Sequence, residues 1–242
     1  MKEPREFVES MEANPVMPAG EGERFAVYAV MACPFESGDI LCNRRIPASS
    51  IGPAYTSIWH RDPEGRWRFH QDAPPMQSCP RFFGSALTEV TESDVEWLWT
   101  GPRSFRIVVP GRIEWEVSLA PSAGTRALSA IGGLLPDGLW RSPAVLGVLE
   151  SIAGSVLGAG KLALAGRASN GQNYIANPQR IWTISSSRAT VDGRDLGSVR
   201  TLPTQARLGD FWVPRTGLFA IGRSFFDAFD PARHAAFAYE GV

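Results

Sequence analysis

The chain has 242 residues, of which 44% are hydrophobic and 20% charged, so it can build the core of one large domain or two small ones. Its 24 basic and 25 acidic residues nearly cancel, which leaves no basic excess for a phosphate backbone and argues against nucleic acid as the main partner. No apolar run approaches the roughly 20 residues that a membrane-spanning helix needs.

The first 23 residues show little periodicity, so they are predicted to form a poorly ordered or wrapping N-terminal arm. Their polar start is unlike a secretory signal, and we expect a cytoplasmic protein with reduced thiols. The three cysteines, Cys33, Cys42 and Cys79, match no zinc spacing. A two-residue turn at Ser37-Gly38 would place Cys33 opposite Cys42, so a disulfide stays open, but packed free thiols are favoured.

The next part of the chain is predicted to form antiparallel strands. Residues 25–31 and 39–46 are rich in β-formers, and segments 55–61 and 66–71 flank a turn at Asp62-Pro63-Glu64-Gly65. Proline at the second position of this turn and glycine at the fourth favour a type I turn.

The register of that hairpin assigns its side chains to two faces. A four-residue turn places His60 opposite Trp67 and Ile58 opposite Phe69. Because side chains alternate along a strand, these four residues are predicted to share the more apolar face.

Residues 95–99, 105–109 and 113–119 then alternate apolar and polar side chains, which predicts an antiparallel meander. The pattern changes at Pro121: residues 122–158 indicate two apolar helices, at about 125–135 and from Pro143 to about 158. Strand patterns return at Leu162, with a hairpin at Asn170-Gly171.

These elements predict a mainly β protein with an antiparallel up-and-down barrel. Residues 24–242 would form a single domain that carries the helical insertion 122–158. The alternating meander, its central tryptophans and the turn Ala168-Ser169-Asn170-Gly171 resemble the lipocalin-like barrels of the carotenoid hydratase and AttH type. The resemblance covers roughly residues 24–120 and 162–222.

That group includes small-molecule hydratases and cyclases. The Gly-x-Trp signature of ordinary lipocalins is missing, so the resemblance implies a barrel and transfers no catalytic residue. The segment 48–67 is also similar to uncharacterised actinobacterial proteins.

The segment 154–162 resembles a phosphate-binding loop without meeting its requirements. Ser155 stands where the first glycine belongs, and Leu162 replaces the hydroxyl residue that would bind magnesium. The glycines also end a helix instead of opening one. We therefore expect no nucleotide cofactor, and no histidine or cysteine spacing predicts a metal site.

Two residues could carry chemistry. His60 near a barrel rim could act as a general acid or base, with Tyr55 or Arg81 as helpers, although packing against Trp67 is the simpler interpretation. Lys161 is the only lysine besides Lys2, and it could form a Schiff base if buried. A lysine next to a helix C-terminus more often complements the terminal carbonyls.

The aromatic residues are the largest set of candidates. They are predicted to form core or to line a cavity for an apolar or aromatic ligand. The candidate ligand-binding residues are Trp67, Phe69, Trp97, Trp99, Phe105, Trp115 and Arg81.

The favoured function is binding of a hydrophobic small molecule in a barrel cavity gated by the apolar helices. A cofactor-independent cyclase, isomerase or hydratase using His60 in the same pocket is the main alternative, and a decarboxylase or aldolase using Lys161 is another. A homodimer or a membrane-surface contact through helices 122–158 also stays open.

Overall fold

The structure, a computed structural model, describes residues 2–237. Fourteen strands and four α-helices follow one another along this part of the chain. The strands are β1 (Glu23–Pro34), β2 (Ile40–Ser49), β3 (Tyr55–Arg61), β4 (Trp67–Gln71), β5 (Glu89–Glu92), β6 (Glu96–Trp99), β7 (Ser104–Val109), β8 (Ile113–Ala120), β9 (Ala165–Arg167), β10 (Asn173–Val191), β11 (Arg194–Asp195), β12 (Arg207–Leu208), β13 (Phe211–Trp212) and β14 (Leu218–Phe226). The helices are α1 (Pro4–Ala13), α2 (Pro80–Phe83), α3 (Ala123–Leu134) and α4 (Pro143–Val156).

Ten strands form one curled sheet in the order β5-β4-β3-β2-β1-β14-β10-β8-β7-β6, and β9 and β11 add to β10. All pairs are antiparallel except β4 with β5. The mainly β, barrel-like class predicted from the sequence is confirmed. The strand order departs from a simple meander, because β14 lies between β1 and β10.

The two edges of this sheet are neighbours in sequence. β5 and β6 end the strand path on opposite sides, yet only residues 93–95 separate them. Such a connection spans at most about 14 Å. The edges therefore approach each other, and the sheet encloses an interior.

The interior is filled by side chains from strands at both ends of the path. On β1, Tyr28 and Val30 point inward, while Val27, Ala29 and Met31 point to the opposite face. Helix α1 contributes buried Val8 to the interior cluster, so it packs on the barrel within the segment predicted as an arm. The largest fully buried interior side chains include Trp115, Trp182, Phe105 and Phe219.

Helices α2, α3 and α4 cover the outer face of the sheet, together with the β12–β13 hairpin. The two helices predicted within 122–158 are confirmed as α3 and α4. A capping box starts α3, in which Thr125 N–H donates to Ser122 Oγ at 3.1 Å. Pro143 occupies the first turn of α4. No helix among residues 2–237 is long and apolar enough to cross a membrane.

The predicted register of the β3–β4 hairpin was wrong by one residue. Arg61 pairs with Trp67, and Trp59 pairs with Phe69. Asp62 N–H donates to Arg66 O at 3.1 Å, and Gly65 adopts φ of +91°, so the loop has three residues and ends in a left-handed glycine. The change of one residue separates His60 from Trp67 and Phe69 and places it on the inner face.

Strand pairing also decides whether two of the cysteines face each other. Cys33 pairs with Leu41 across the first hairpin, so it does not face Cys42. All three cysteines are buried free thiols, which confirms the favoured prediction.

Candidate functional site

An apolar cavity of about 170 Å³ lies between the outer face of the sheet and helices α3 and α4. Small residues on the central strands leave this space open, since Ala29, Ala220 and Gly222 offer little side-chain volume. Leu128, Ile131, Leu149 and Ala153 approach it from the two helices.

Arg44 of β2 lines this apolar cavity although it is only 7% exposed. Its Nη1 donates to Val30 O at 2.8 Å and to Asn43 O at 2.7 Å. The guanidinium carbon lies 4.4 Å from the Trp59 ring centroid. Nη2 is buried and has no partner among the described residues. Burial lowers the pKa of Arg44, as expected for a desolvated cation.

Two weak acids lie beside Arg44. Tyr55 Oη and Cys79 Sγ are 3.6 Å apart, and both residues line the cavity. Burial raises the pKa of Tyr55 and of Cys79, so both groups are protonated at neutral pH. The cavity wall near Arg44 therefore presents hydrogen-bond donors and one positive charge.

Asn177 of β10 is another residue of the described cavity lining, and its Oδ1 is buried without a partner among the described residues. Through Arg223 and Ala26 its position in the sheet is level with Ala48, four residues along β2 from Arg44, and β1 and β14 lie between. Asn177 is therefore not one of the groups beside Arg44.

A second cavity, of about 220 Å³, is polar. Its arginines are balanced by acids: Arg68 Nε lies 3.4 Å from Glu89, and Arg112 Nη1 lies 3.5 Å from Asp192. The residues lining this polar cavity are His60, Arg68, His70, Glu89, Arg112, Ile113, Val191 and Asp192.

A buried dyad opens onto the polar cavity. His60 Nε2 lies 2.7 Å from Asp39 Oδ1, and Arg194 Nη2 donates to both Asp39 oxygens at 3.0 Å. Burial alone would raise the pKa of Asp39, but hydrogen bonds from His60, Ser37 and Arg194 outweigh it and lower that pKa to about 2. Asp39 is thus an ionised carboxylate that orients the imidazole of His60.

His70 is the other histidine of the polar cavity. It is buried, and its Nδ1 has no partner among the described residues. Burial, with smaller contributions from Arg112 and His60, lowers the pKa of His70 to about 4 even though Glu89 opposes this. His70 is therefore neutral at pH 7.

The described lining of the apolar cavity includes none of the nine site residues predicted from the sequence. Trp97, Trp99, Phe105 and Trp115 belong to the barrel interior. Trp67 and Phe69 lie in the outer cluster, and Phe69 stacks at 4.5 Å on Trp59, which does line the cavity.

The three charged candidates lie apart from one another. Arg81 pairs with Glu23 at 2.6 Å. Lys161 is exposed, and its Nζ lies 5.0 Å from the ring centroid of Trp212. His60 is in the polar cavity on the inner face. Neither Lys161 nor Arg81 lies within hydrogen-bond reach of His60.

Arg44 was missed in the sequence. The run Ile40-Leu41-Cys42-Asn43-Arg44 is buried throughout in the structure, and two polar residues within a buried run are unusual. The next residue, Arg45, points to the other face and pairs with Glu12 at 2.9 Å. A charge that breaks a buried apolar strand is the pattern to search for.

No family model matches this chain, and no curated protein matches it. Neither comparison supports the resemblance to carotenoid hydratase and AttH-type barrels or to actinobacterial proteins. Among solved structures, acetoacetate decarboxylase from Legionella pneumophila subsp. pneumophila is 9% identical over 95% of both chains, with a TM-score of 0.39. A structure titled as studies of acetoacetate decarboxylase is 10% identical over 93% of this chain and 92% of that chain, with a TM-score of 0.41.

Proposed function

We propose that the protein binds an apolar small molecule in the cavity between the sheet and helices α3 and α4. The observation that carries this proposal is a cavity of about 170 Å³ with an almost entirely apolar lining. A cavity of roughly 150 Å³ lined by aliphatic and aromatic side chains stays dry and accepts benzene. The buried part of the ligand is therefore about the size of one aromatic ring or a medium-length alkyl chain.

Helix α4 is the candidate gate of the apolar cavity. Only Leu146, Ala153 and Gly154 of its 14 residues are buried, whereas Val148, Ile152 and Val156 are exposed. Elements with few buried contacts open at the lowest free energy. Helix α3, in contrast, is fixed to the sheet because Ile181 N–H donates to Ser129 Oγ at 2.9 Å.

Titration with small apolar probes tests the proposal, because Trp59, Trp140 and Trp212 line the cavity and report on its occupancy. We expect saturable changes in tryptophan fluorescence with cyclohexane or iodobenzene, which do not emit in the tryptophan range. Ala176→Phe, which fills the cavity, is expected to abolish them. Ala127→Phe on the exposed face of α3 is the matched control. Equal responses from both variants, or no response from the unmodified protein, would contradict the proposal.

The Asp39–His60 dyad supports a second candidate function, acid–base catalysis in the polar cavity. The 2.7 Å contact gives His60 the orientation that a general base needs. The substrate would be a small polar molecule, because the lining is polar. Exchange of substrate C–H protons with D₂O, followed by NMR over a panel of keto and hydroxy acids, tests this function. Loss of exchange in His60→Gln would support it, and equal exchange in both proteins would exclude it.

The exposed position of Lys161 does not favour the Schiff-base alternative. A lysine activated by desolvation must be buried, and Lys161 lies on the surface outside the described lining of the apolar cavity. Borohydride reduction with a ketone, with Lys161→Arg as control, measures this directly. A trapped adduct that requires Lys161 would restore the decarboxylase or aldolase proposal.

Contact of the helical insertion with a second copy or with a membrane surface stays a prediction. Its observed basis is a set of exposed apolar side chains. Light scattering and vesicle sedimentation measure the two outcomes separately. These side chains are Ile131, Leu134, Leu139, Val148, Ile152 and Val156.

A further inference from the structure

We propose that the ligand of the apolar cavity is a carboxylic acid whose carboxylate binds Arg44. This inference rests on the proposed function, since it names the chemical class of the molecule that the cavity takes.

Arg44 is a buried cation at the cavity wall. No carboxylate among the described residues lies within 4.0 Å of the Arg44 guanidinium. Glu12 of helix α1 is bound to Arg45, which points to the opposite face. Burying a cation without a partner is strongly unfavourable, so such a group is expected to have an anionic partner in the functional state.

The guanidinium of Arg44 is held in position by neighbouring groups. Nη1 of Arg44 is fixed by two backbone carbonyls, and the ring of Trp59 supports the guanidinium from one side. Nη2 has no hydrogen-bond partner among the described residues, and Arg44 borders the cavity. The side chain is therefore held in place before a ligand arrives, which lowers the entropy lost on binding.

The surroundings of Arg44 favour an anion with a single charge. Tyr55 and Cys79 stay protonated, so they contribute donors and no negative charge beside Arg44. A single guanidinium balances a monoanion, whereas a phosphate group would leave excess negative charge in an apolar site. The remaining volume of about 170 Å³ accepts one ring or a medium-length alkyl chain. An arylalkanoic or medium-chain acid meets these requirements.

A matched pair of probes separates the head group from the apolar body. 3-Phenylpropanoate and its neutral amide have nearly the same shape, so their dissociation constants differ through the charge. We expect the acid to bind at least tenfold more tightly than the amide, as measured by calorimetry and tryptophan fluorescence. Arg44→Met is expected to remove this preference while changing amide binding less than threefold. Arg45→Met, next to it but directed away from the cavity, is the control and is expected to retain the preference.

Each result decides between the two proposals. Equal binding of acid and amide by the unmodified protein would overturn the carboxylate inference and leave the proposed function standing. Binding of neither probe would overturn the proposed function itself. If Arg44→Met does not fold, Arg44→Lys replaces it, and the comparison of acid with amide needs no variant at all.

Discussion

His70 is a buried neutral imidazole, and this makes stability sensitive to pH. Its pKa is about 4 in the folded protein against 6.5 unperturbed, so below pH 6.5 the unfolded chain binds a proton that the folded protein does not. Above pH 6.5 the buried His70 does not reduce the free energy of unfolding. As pH decreases from 6.5 towards 4, the free energy of unfolding falls by roughly 3 kcal/mol in total.

We expect His70→Gln to remove this part of the pH dependence. Urea unfolding of both proteins at pH 7.5, 5.5 and 4.5 measures it. The two stability curves should be parallel above pH 7 and diverge below 6.5, with the unmodified protein losing more. Parallel curves over the whole range would show that His70 titrates normally.

Asp39 also makes stability fall as pH decreases, but for a different reason: its charged form is stabilised by its partners. Its pKa is lowered to about 2 from 3.8, so the added stability is complete above pH 3.8 and is lost as pH falls through about 2. Asp39→Asn leaves His60 and Arg194 without their anion. We expect it to lower the free energy of unfolding at pH 7 by about 3 kcal/mol.

The matched control for Asp39 is Asp192→Asn at the same end of the barrel. Asp192 is exposed, its φ of 49° suits asparagine, and its contact with Arg112 is a surface ion pair. Such pairs contribute about 0–1 kcal/mol. Equal losses in the two variants, measured by urea unfolding, would mean that the Asp39 hydrogen bonds do not stabilise the fold.

At the level of elements, two helical glycines separate packing from helix propensity. An alanine Cβ at Gly132 of α3 would lie 2.8 Å from Pro178 O, whereas at Gly147 of α4 it would meet nothing within 4 Å. Alanine favours a helix by up to about 1 kcal/mol over glycine. We expect Gly147→Ala to raise the melting temperature and Gly132→Ala to lower it, because α3 must move away from β10. A rise in both variants, measured by calorimetry, would show that α3 is loosely held.

The elements that the sequence predicts well are those with local signals. Ser142-Pro143 marks the start of α4, and the alternation of residues 105–109 and 113–119 matches β7 and β8. The hairpin register was wrong because Asp62 pairs with Arg66, so the loop has three residues, ending in left-handed Gly65, instead of four. The position of β14 between β1 and β10 depends on pairing between segments far apart in the chain, for which one sequence carries no local signal.

The candidate site was less predictable than the fold, for a related reason. Arg44 reads as a solvent-facing charge until α2 and the segment around Phe211 are known to cover it. The aromatic residues were predicted to line a ligand cavity, yet many of them fill the barrel interior. The cavity forms on the outer face, where small residues of β1 and β14 meet the helical insertion.

For the molecule as a whole, ligand binding and stability are linked. A ligand that binds only the folded protein at one hundred times its dissociation constant raises the free energy of unfolding by about 2.7 kcal/mol. For a chain of this length we expect the melting temperature to rise by roughly 5–10 °C with 3-phenylpropanoate. Thermal unfolding monitored by circular dichroism measures this rise. Ala176→Phe should abolish the rise, and an unchanged rise in that variant would place the ligand elsewhere.

The pairing of β1 with β14 affects how the chain can be made. β1 begins at Glu23, yet one of its two edges is completed only by residues up to Phe226. During vectorial synthesis on the ribosome, that edge stays unpaired until almost the whole chain has emerged. An apolar strand with a free edge is a template for aggregation, and such non-local pairing forms slowly. We therefore expect the soluble yield of the protein to depend on chaperones and on slow expression at low temperature.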